Sequence, residues 1–571
     1  MRSLRTYLER LQKVIPDQFV RVREPVDWQY EVTAYVAEME RDNSNPALLF
    51  ENIKDYSTPL LINLFGHVDR IILALGDTLH IRGSRLDFYN EWNRLFDKEV
   101  PPVCAGRGPV KDICHRGDDV DLASLPIPKF YEQDGGRYVT AGLLVARNPD
   151  HPEEINLTYA RMHLKGRDRF GISLHSRGHT WQYLEKAKAA GEPLDVAVII
   201  GAHPALYLAA AAKITNEYHR AGALIGEPIE LIRCGTVDLP VPAQAEIVLE
   251  GQILLDEEDE GPFTEYTGYI SGRSTRNLLR VSAITRREDA IFLAVAPSNS
   301  SEHLLLSGLP KQARIYQAMI DFIHTPALKD IIWPVWGTHF VCFISLKESM
   351  ELTPGLAKQL GLLLLGLDHY VKIVAVFPAD TDISNVTSAL GSIALRCDLK
   401  DGSGLEVLGK VFSHLLDPSS AEAGISSKMV IDASRPGMEI VSPNTEADLR
   451  NVLSAHKIKD ASFPCKGNPH FCVVNAKPDL GDLTELLDMA SLNRCRLIIC
   501  VDEDIDIHDG RQILWALATR SQPKDAIIRE GRMMLDARKG NNWTARRATL
   551  PSYAPLLAAR AGDFLNMSKD I

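Results

Sequence analysis

Six carboxylates lie within ten consecutive residues of the sequence, in the stretch DEEDEGPFTE from Asp256 to Glu265. A solvated acidic loop explains the first four of them, but it does not explain the two that flank Gly261 and Pro262. Glycine and proline can turn the chain so that Glu260 and Glu265 face one pocket. Two carboxyl groups held in one pocket favour different protonation states, so this pair is a candidate for proton transfer.

Three further stretches, close by in the sequence, carry polar side chains that active sites use. We predict a strand for INLTYARMH (155–163), a turn and a helix for ISLHSRGHTWQYLEK (172–186), and an apolar strand for VPAQAEIVLEG (241–251). Their candidate residues are Asn156, Thr158, Tyr159, Arg161, His175, Arg177, Gly178, His179, Glu246 and Glu250. Together they supply an amide, imidazoles, carboxylates and an arginine within one compact segment, which favours an active site over unrelated features.

Each stretch also has an ordinary structural interpretation. His175 and His179 have the spacing of a metal pair on a helix, but Gly178 between them disfavours a helix. Either histidine is equally consistent with a helix cap or a core residue. Strand alternation places Glu246 and Glu250 on one face, which is also what a solvated face requires.

The whole chain has the composition of a globular protein. Its 571 residues are too many for one core and predict three or four domains. A net charge of −12 argues against nucleic acid or an anionic membrane as the main partner. Nine scattered cysteines without a C-x-x-C pair indicate reduced thiols, and the N-terminus has no apolar signal-peptide core. We therefore expect a cytoplasmic protein.

The hydrophobic pattern changes twice along the chain. Helical and strand patterns alternate at the N-terminus, strands punctuated by Gly and Pro dominate the middle, and α/β alternation resumes after Ser300. We predict an α/β multidomain protein with a β-rich barrel or sandwich at its centre. The predicted domains are an N-terminal α/β domain (1–111), the β-rich domain (112–300), a C-terminal α/β domain (301–441) and a second copy of it (442–571).

The second copy is predicted from an internal repeat. IIWPVWGTHFVCFI (331–344) recurs as ASFPCKGNPHFCVV (461–474), and VKIVAVFPADTDI (371–383) recurs as CRLIICVDEDIDI (495–507). Two fragments that recur in the same order indicate a duplicated domain rather than a small solenoid module.

The motifs NLTYAR, VPAQAEIVLEG and EGPFTEYTGY, in this order and at this spacing, resemble those of the UbiD family of (de)carboxylases that use prenylated FMN. PALLFENIKDYSTPLLINLFG near the N-terminus and GISSKMVIDAS (424–434) are also similar to the family, so the resemblance covers roughly residues 1–437. It implies a split β-barrel of the flavin-reductase type as the cofactor domain. It also implies prenylated FMN and a divalent metal, Mn²⁺ or Mg²⁺, with K⁺ as a further candidate ion.

The resemblance assigns roles to residues of this chain. The metal ligands that it implies are Asn156, His175 and Glu246, with His179 as an alternative because the histidine motif aligns in two ways. The implied cofactor contacts are these three residues with Thr158, Tyr159, Ala160, Arg161, Arg177, Gly178 and the phosphate-binding Lys428. The implied catalytic set is Arg161, Glu260 and Glu265.

These residue types suit the implied reaction. Loss of CO₂ from an sp² carbon needs an electron sink, which the modified flavin supplies. Arg161 would orient the substrate carboxylate, Glu260 would pair with the arginine, and Glu265 would protonate the carbon that CO₂ leaves. Burial and a neighbouring carboxylate favour the neutral acid that this step needs. Thr264 departs from the family, where glycine is common, and it could alter how Glu265 approaches the substrate.

The resemblance predicts a non-oxidative, reversible decarboxylase for an aromatic, heteroaromatic or α,β-unsaturated acid. The alternatives are an FMN-dependent oxidoreductase and a non-catalytic flavin-binding assembly subunit. The expected partners are the small carboxylic acid, CO₂ and a flavin prenyltransferase that supplies the cofactor. We also expect a homodimer or higher homo-oligomer, with the second C-terminal copy packing against the first or forming the oligomer contact.

Overall fold

The structure is a computed structural model. It describes residues 3–41, 44–75, 85–174, 178–212, 214–323, 327–400, 403–437, 446–453, 458–465, 467–476, 480, 483–540 and 543–551. The chain divides into two compact units, one formed by Met1–Ala313 with Arg546–Ile571 and the other by Arg314–Ala545. Residues 546–551, the last that the structure describes, therefore belong to the first unit.

The N-terminal part of the first unit is an α/β layer, as the sequence predicted. Its elements are α1 (Leu4–Val14), β1 (Phe19–Val22), α2 (Glu31–Arg41), β2 (Ala47–Phe50), β3 (Leu60–Ile62), α3 (Val68–Leu73), α4 (Arg85–Phe96) and β4 (Val103–Cys104). Ser3 caps α1 in a capping box with Thr6, and α1 buries Leu4, Tyr7 and Leu11, which share one helical face.

The central part of the first unit contains most of its strands. Its elements are β5 (Ile113–Arg116), β6 (Tyr138–Val139), β7 (Leu143–Arg147), β8 (Ile155–Tyr159), β9 (Arg161–Leu164), β10 (Arg169–Ser173), α5 (His179–Ala190), β11 (Leu194–Ile200), α6 (Pro204–Ala211), α7 (Glu217–Ile225), β12 (Glu230–Arg233), β13 (Pro240–Pro242), β14 (Ile247–Glu260), β15 (Phe263–Thr264), β16 (Ile270–Ser271), β17 (Ser274–Arg286) and β18 (Phe292–Leu293). A nine-stranded sheet has the order β6-β9-β10-β17-β14-β11-β7-β8, with β5 paired to β17.

The nine-stranded sheet is curled. β8 lies at one end of its strand order and β9 lies next to the other end, yet Ala160 alone connects them along the chain. Because one residue spans at most about 3.6 Å, the two ends of the sheet must approach each other. The prediction of a β-rich central domain is confirmed, whereas the split-barrel geometry and the domain boundaries stay predictions.

The second unit holds two α/β sheets of identical strand order. The first copy comprises β19 (Leu328–Ile332), β20 (Val341–Leu346), α9 (Leu356–Leu367), β21 (Ile373–Phe377), α10 (Val386–Arg396), β22 (Leu405–Phe412) and β23 (Ile425–Asp432), preceded by α8 (Ser301–Ile323). The second comprises α11 (Glu446–Leu453), β24 (Ile458–Ser462), β25 (Phe471–Ala476), α12 (Thr484–Leu487), β26 (Leu497–Val501), α13 (Gly510–Arg520), β27 (Ile527–Arg529) and β28 (Arg532–Ala537). The sheets run β19-β20-β21-β23-β22 and β24-β25-β26-β28-β27, each with three parallel central strands.

The two copies contact each other reciprocally. Lys372, just before β21, donates to the Ser521 carbonyl at the end of α13 at 3.2 Å. At the equivalent position before β26, Arg496 donates to the carbonyls of Ala394 and Cys397 at the end of α10. Each cation thus binds the negative end of the other copy's helix. Equivalent residues that exchange equivalent contacts define a two-fold relation, here within one chain.

One expectation from the sequence is wrong. The acidic stretch is not a loop, because β14 continues through it to Glu260 and pairs with β17. Asp256, Glu257 and Asp259 are exposed on this strand, as expected for solvated acids. Within the described residues, no helix is both long enough and apolar enough to cross a membrane.

Candidate active site

Arg161 connects the two glutamates that flank the Gly261–Pro262 turn. It begins β9, and its Nε and Nη2 donate to the two carboxylate oxygens of Glu260 at 3.0 and 2.9 Å. Its Nη1 donates to Oε1 of Glu265. Burial alone would lower the pKa of Arg161, but the charges of Glu265 and Glu260 raise it above its ordinary value. The guanidinium therefore stays charged, and the structure brings the predicted catalytic set together.

The fully buried carboxylate of Glu260 and the ring of Phe263 enclose this arginine. Glu260 is 0 % exposed, and the Phe263 ring centroid lies 4.9 Å from the Arg161 guanidinium carbon. A cation over an aromatic face in a dry site is stabilised by the ring quadrupole. Arg161 is thus held from two directions, which fixes the position of its remaining donor toward Glu265.

A tight turn carries Glu265. Its backbone N–H donates to the Tyr269 carbonyl at 2.9 Å, and its carbonyl accepts from the Gly268 N–H at 2.9 Å. Before it, Gly261 has a φ of 90°, a left-handed conformation that glycine adopts without strain. The Pro262 carbonyl accepts from the N–H of Gly135 at 2.7 Å. The loop is therefore held by backbone bonds on both sides of Glu265.

Thr264, the departure from the family pattern, is bonded to a buried acid. Asp134 Oδ1 accepts from both the backbone N–H and the hydroxyl of Thr264 at 2.9 Å, and its Oδ2 accepts from the Tyr131 N–H at 2.9 Å. Burial raises the pKa of Asp134 to about 6, although these donors oppose the shift. The threonine hydroxyl thus fixes the residue next to Glu265, and no local sequence pattern predicts Asp134 as its partner.

Two of the candidate metal ligands lie next to each other, Asn156 on β8 and His179 at the start of α5. Asn156 Oδ1 is 3.0 Å from His179 Nδ1, and Asn156 Nδ2 donates to the Thr180 hydroxyl at 2.8 Å. Gly178 is the N-cap of this helix. The predicted residues His175 and Arg177 lie outside the described residues.

The structure does not bring Glu246 to Asn156. Strand pairing places Asn156 on one rung with Ala146, Val196 and Gly251, whereas Glu246 precedes Gly251 by five residues, about 16 Å along a strand. The carboxylate is fully buried and accepts from Arg5 Nε at 3.0 Å and Nη2 at 2.9 Å, and from the Ile291 N–H at 3.0 Å. Glu246 therefore anchors the N-terminal helix to the central sheet.

Glu250 is also structural. It is fully buried and accepts from Lys111 Nζ at 2.7 Å and from the N–H groups of Gly235 and Thr236. These donors outweigh burial and lower the pKa of Glu250. The expectation that Glu246 and Glu250 could face water is wrong, because strand alternation does not reveal a partner distant in sequence.

Glu217 is a buried acid that the sequence interpretation missed. It begins α7, is 2 % exposed, and its Oε2 has no hydrogen-bond partner among the described residues. Burial raises the pKa of Glu217 to about 8, while a hydrogen bond from the Leu157 backbone opposes the shift. Leu157 directly follows Asn156, so the carboxyl group lies beside the asparagine. The sequence pattern that could have identified Glu217 is its helical spacing with Ala221 and Leu224, which are also buried. This spacing places an acid on the apolar face of a helix.

The remaining predicted cofactor contacts lie in both units. Thr158 and Tyr159 end β8, and Ala160 connects it to Arg161. The Tyr159 hydroxyl donates to the Tyr207 carbonyl at 2.9 Å. Lys428 lies on β23 in the second unit, where its Nζ donates to the His369 carbonyl at 3.1 Å. Burial lowers the pKa of Lys428 to about 8.

Comparison with known proteins identifies the family of this chain. Models of the 3-octaprenyl-4-hydroxybenzoate carboxy-lyase match over its N-terminal domain at residues 12–84 and its Rift-related domain at 102–300. The model of its C-terminal domain matches twice, at 305–433 and 440–539. The protein is therefore an enzyme of the carboxy-lyase class. It belongs to the UbiD family, and its C-terminal domain is repeated.

Solved structures of related enzymes share this fold. The UbiD-class enzyme HmfF from Pelotomaculum thermopropionicum, in complex with FMN, is 32% identical, with a TM-score of 0.69 over 76% of this chain and 94% of that one. Vanillic acid decarboxylase from Sedimentibacter hydroxybenzoicus is 28% identical, with a TM-score of 0.67 over 80% of this chain and 99% of that one. A relative found by sequence comparison, the anhydromevalonate phosphate decarboxylase of Methanothermobacter thermautotrophicus, is 29% identical over 76% of this chain and 97% of its own length.

Proposed function

We propose that this carboxy-lyase catalyses the non-oxidative, reversible decarboxylation of an aromatic, heteroaromatic or α,β-unsaturated carboxylic acid with prenylated FMN. The observation that supports this most is the bonding of Arg161 to both Glu260 and Glu265. When bound, prenylated FMN would supply the electron sink for the carbon–carbon bond that breaks. Hydride transfer has no need of two acids around an arginine, so this set does not favour an oxidoreductase.

The roles of the three residues follow from their contacts. Glu260 is committed to Arg161 through both oxygens, so it balances the charge of the guanidinium and orients it. Arg161 would bind the substrate carboxylate through its planar donor set. Glu265 has one described contact to Arg161 and would donate a proton to the carbon that CO₂ leaves. In the reverse direction the same carboxylate would accept that proton.

We propose Asn156, His179 and Glu217 as the ligands of the divalent metal, in place of the set with His175 and Glu246. The asparagine and histidine donor atoms lie 3.0 Å apart, and the buried Oε2 of Glu217 lacks a described partner. An amide oxygen, an imidazole and a carboxylate suit Mn²⁺ or Mg²⁺. Glu246 fits poorly, because Arg5 and Ile291 already bind both of its oxygens.

We further propose that Thr158, Tyr159, Ala160, Gly178 and Lys428 contact the cofactor, Lys428 as a cation for its phosphate. A flavin prenyltransferase would supply the cofactor, and the enzyme would self-associate as a homodimer or higher homo-oligomer.

The test is to co-express the full chain with a flavin prenyltransferase and to record its native mass spectrum and absorbance. Bound prenylated FMN is expected, together with turnover of at least one acid from a panel that includes 3,4-dihydroxybenzoate, vanillate and cinnamate. Plain FMN without decarboxylation would instead support an oxidoreductase. A protein without any flavin would contradict the proposal.

A further inference from the structure

The chain ends its described course beside the loop that carries Glu265. Residues 546–549, which we call the C-terminal strap, follow β28 and lie beyond the last residue that matches the family, 539. The N–H of Ile270 donates to the Arg546 carbonyl at 2.9 Å, and the N–H of Ala548 donates to the Gly268 carbonyl at 3.0 Å. These bonds flank an antiparallel bridge between Tyr269 and Arg547, so the strap adds a short strand to the loop.

The same strap binds a second segment of the first unit. The Glu132 N–H donates to the Thr549 carbonyl at 3.3 Å, and the Thr549 N–H donates to Oε1 of Gln133 at 3.0 Å. The Thr549 hydroxyl donates to Oε2 of Glu132 at 2.7 Å. Both backbone groups and the side chain of Thr549 are thus engaged by two consecutive residues.

The two segments that the strap joins are the two supports of Glu265. One is the turn in which Glu265 bonds to Gly268 and Tyr269. The other contains Asp134, which accepts both hydrogen bonds from Thr264. A strap that binds both segments restricts their relative movement.

We propose that the C-terminal strap is a positioning element for Glu265, which keeps its carboxyl group in reach of Arg161 and of the substrate. The strap comes after the second C-terminal copy in the sequence and belongs, like the loop, to the first compact unit. The role of the strap in turnover rests on the proposed function, whereas its hold on the loop does not.

The decisive comparison is between Ala548→Pro and Ala548→Gly in the full chain. Proline removes the N–H that binds the Gly268 carbonyl, and glycine keeps it. Hydrogen–deuterium exchange of peptides that cover residues 263–271 is expected to be at least about tenfold faster in Ala548→Pro than in Ala548→Gly. The lost hydrogen bond lowers the free energy that is needed to open the loop locally. Peptides of the nine-stranded sheet are expected to be unchanged. Equal exchange of residues 263–271 in the two variants would overturn the proposal.

Measurements of turnover then distinguish a strap that positions Glu265 from one that is only attached to the loop. Thr549→Val should lower kcat about tenfold, as a misplaced catalytic group does, with KM and flavin content unchanged, and Thr549→Ser should restore kcat. Wild-type kcat in both Ala548→Pro and Thr549→Val would overturn the positioning role. If the wild type turned over none of the acids, the proposed function would fail. Faster loop exchange in Ala548→Pro would still show that the strap restrains the loop.

Discussion

The guanidinium of Arg161 donates to both carboxylate oxygens of Glu260, at 3.0 and 2.9 Å, and leaves one terminal nitrogen for Glu265. The two acids therefore differ in the number of hydrogen bonds that they accept from the same guanidinium, two for Glu260 and one for Glu265. A bidentate, buried pair is rigid and strongly oriented, whereas a carboxylate with a single charged contact can exchange it for another partner. This asymmetry, more than the presence of two acids, is the reason that we propose a structural role for Glu260 and proton transfer for Glu265.

Glu265→Gln tests the proton donor. The amide keeps the size of the side chain but cannot deliver a proton, so decarboxylation and substrate hydrogen–deuterium exchange should both fall by at least about a hundredfold, the usual worth of an acid–base group. Flavin and metal content, measured by native mass spectrometry, should stay at the wild-type level. Turnover at the wild-type rate in this variant would contradict the assignment of Glu265.

Glu260→Gln should behave differently, because it breaks the pair between the fully buried Glu260 and Arg161. We expect a loss of about 3 kcal/mol in unfolding free energy, the order found when one partner of a buried ion pair is removed. Thermal unfolding of the two glutamine variants side by side provides the comparison. The idea fails if Glu265→Gln is the less stable of the two.

Thr264→Val should both destabilise the loop and reduce turnover. Valine has the shape of threonine but cannot donate to the buried Asp134, and such a loss costs about 1–2 kcal/mol. Thr264→Ser keeps the hydroxyl and should restore most of the stability. Thermal unfolding and kcat are measured for both variants, and equal values for serine and valine would show that the hydroxyl is not used.

Asp134 should make stability depend on pH in an identifiable window. Burial raises its folded-state pKa from 3.8 to about 6, so the folded state binds the proton more tightly than the unfolded state does. Its stabilising contribution is complete below pH 3.8 and is lost as the pH rises through 6, a change of about 3 kcal/mol. In Asp134→Asn this dependence disappears. Relative to the variant, the wild type should therefore lose stability between pH 4 and pH 7 in thermal unfolding.

Local patterns predicted the parts of this fold that local interactions determine. The apolar run VAVII became β11, the helix after it became α6, and the order of elements recurred in both C-terminal copies. The family resemblance also grouped Arg161, Glu260 and Glu265, and the structure places these three side chains in contact. The acidic stretch was misjudged, since its charges obscured the pairing of β14 with β17 that extends the strand.

What the sequence could not provide were the partners of buried charges. Glu246 meets Arg5, which lies 241 residues earlier, and no periodicity encodes such a pair. Glu217 has the opposite property, an acid buried without a described partner for Oε2, which becomes evident once burial is known. The strap was equally unpredictable, because its bonds to Gly268 and Ile270 are made by the backbone and leave no mark on residue type.

The proposed metal site can be tested by a direct comparison of two acids, Glu217 and Glu246. Glu217→Gln and Asn156→Ala should weaken Mn²⁺ binding by at least about tenfold, the range associated with losing groups at a metal centre. Glu246→Gln should retain Mn²⁺ and instead lower stability, because Arg5 loses half of a buried pair. Electron paramagnetic resonance titration of the metal-depleted proteins measures all three. Loss of Mn²⁺ in Glu246→Gln alone would instead support Glu246 as the ligand, as the family resemblance implied.

One side chain at the contact between the C-terminal copies bonds in several directions. Gln522 accepts from the N–H and hydroxyl of Ser427 at 3.0 and 2.9 Å, and donates to the hydroxyls of Ser419 and Ser426 at 2.8 and 3.0 Å. Gln522→Ala leaves a backbone N–H and several hydroxyls without these bonds, which should weaken the contact by about 1–3 kcal/mol.

Limited proteolysis of the full chain measures this loss as faster cleavage between the copies. The matched control is Gln359→Ala, since Gln359 is exposed on α9. We expect the control to resist protease like the wild type, because surface substitutions away from buried networks usually change stability by less than about 0.5 kcal/mol. Equal resistance in Gln522→Ala and Gln359→Ala would mean that packing of α10 against α13, rather than the glutamine network, holds the copies together.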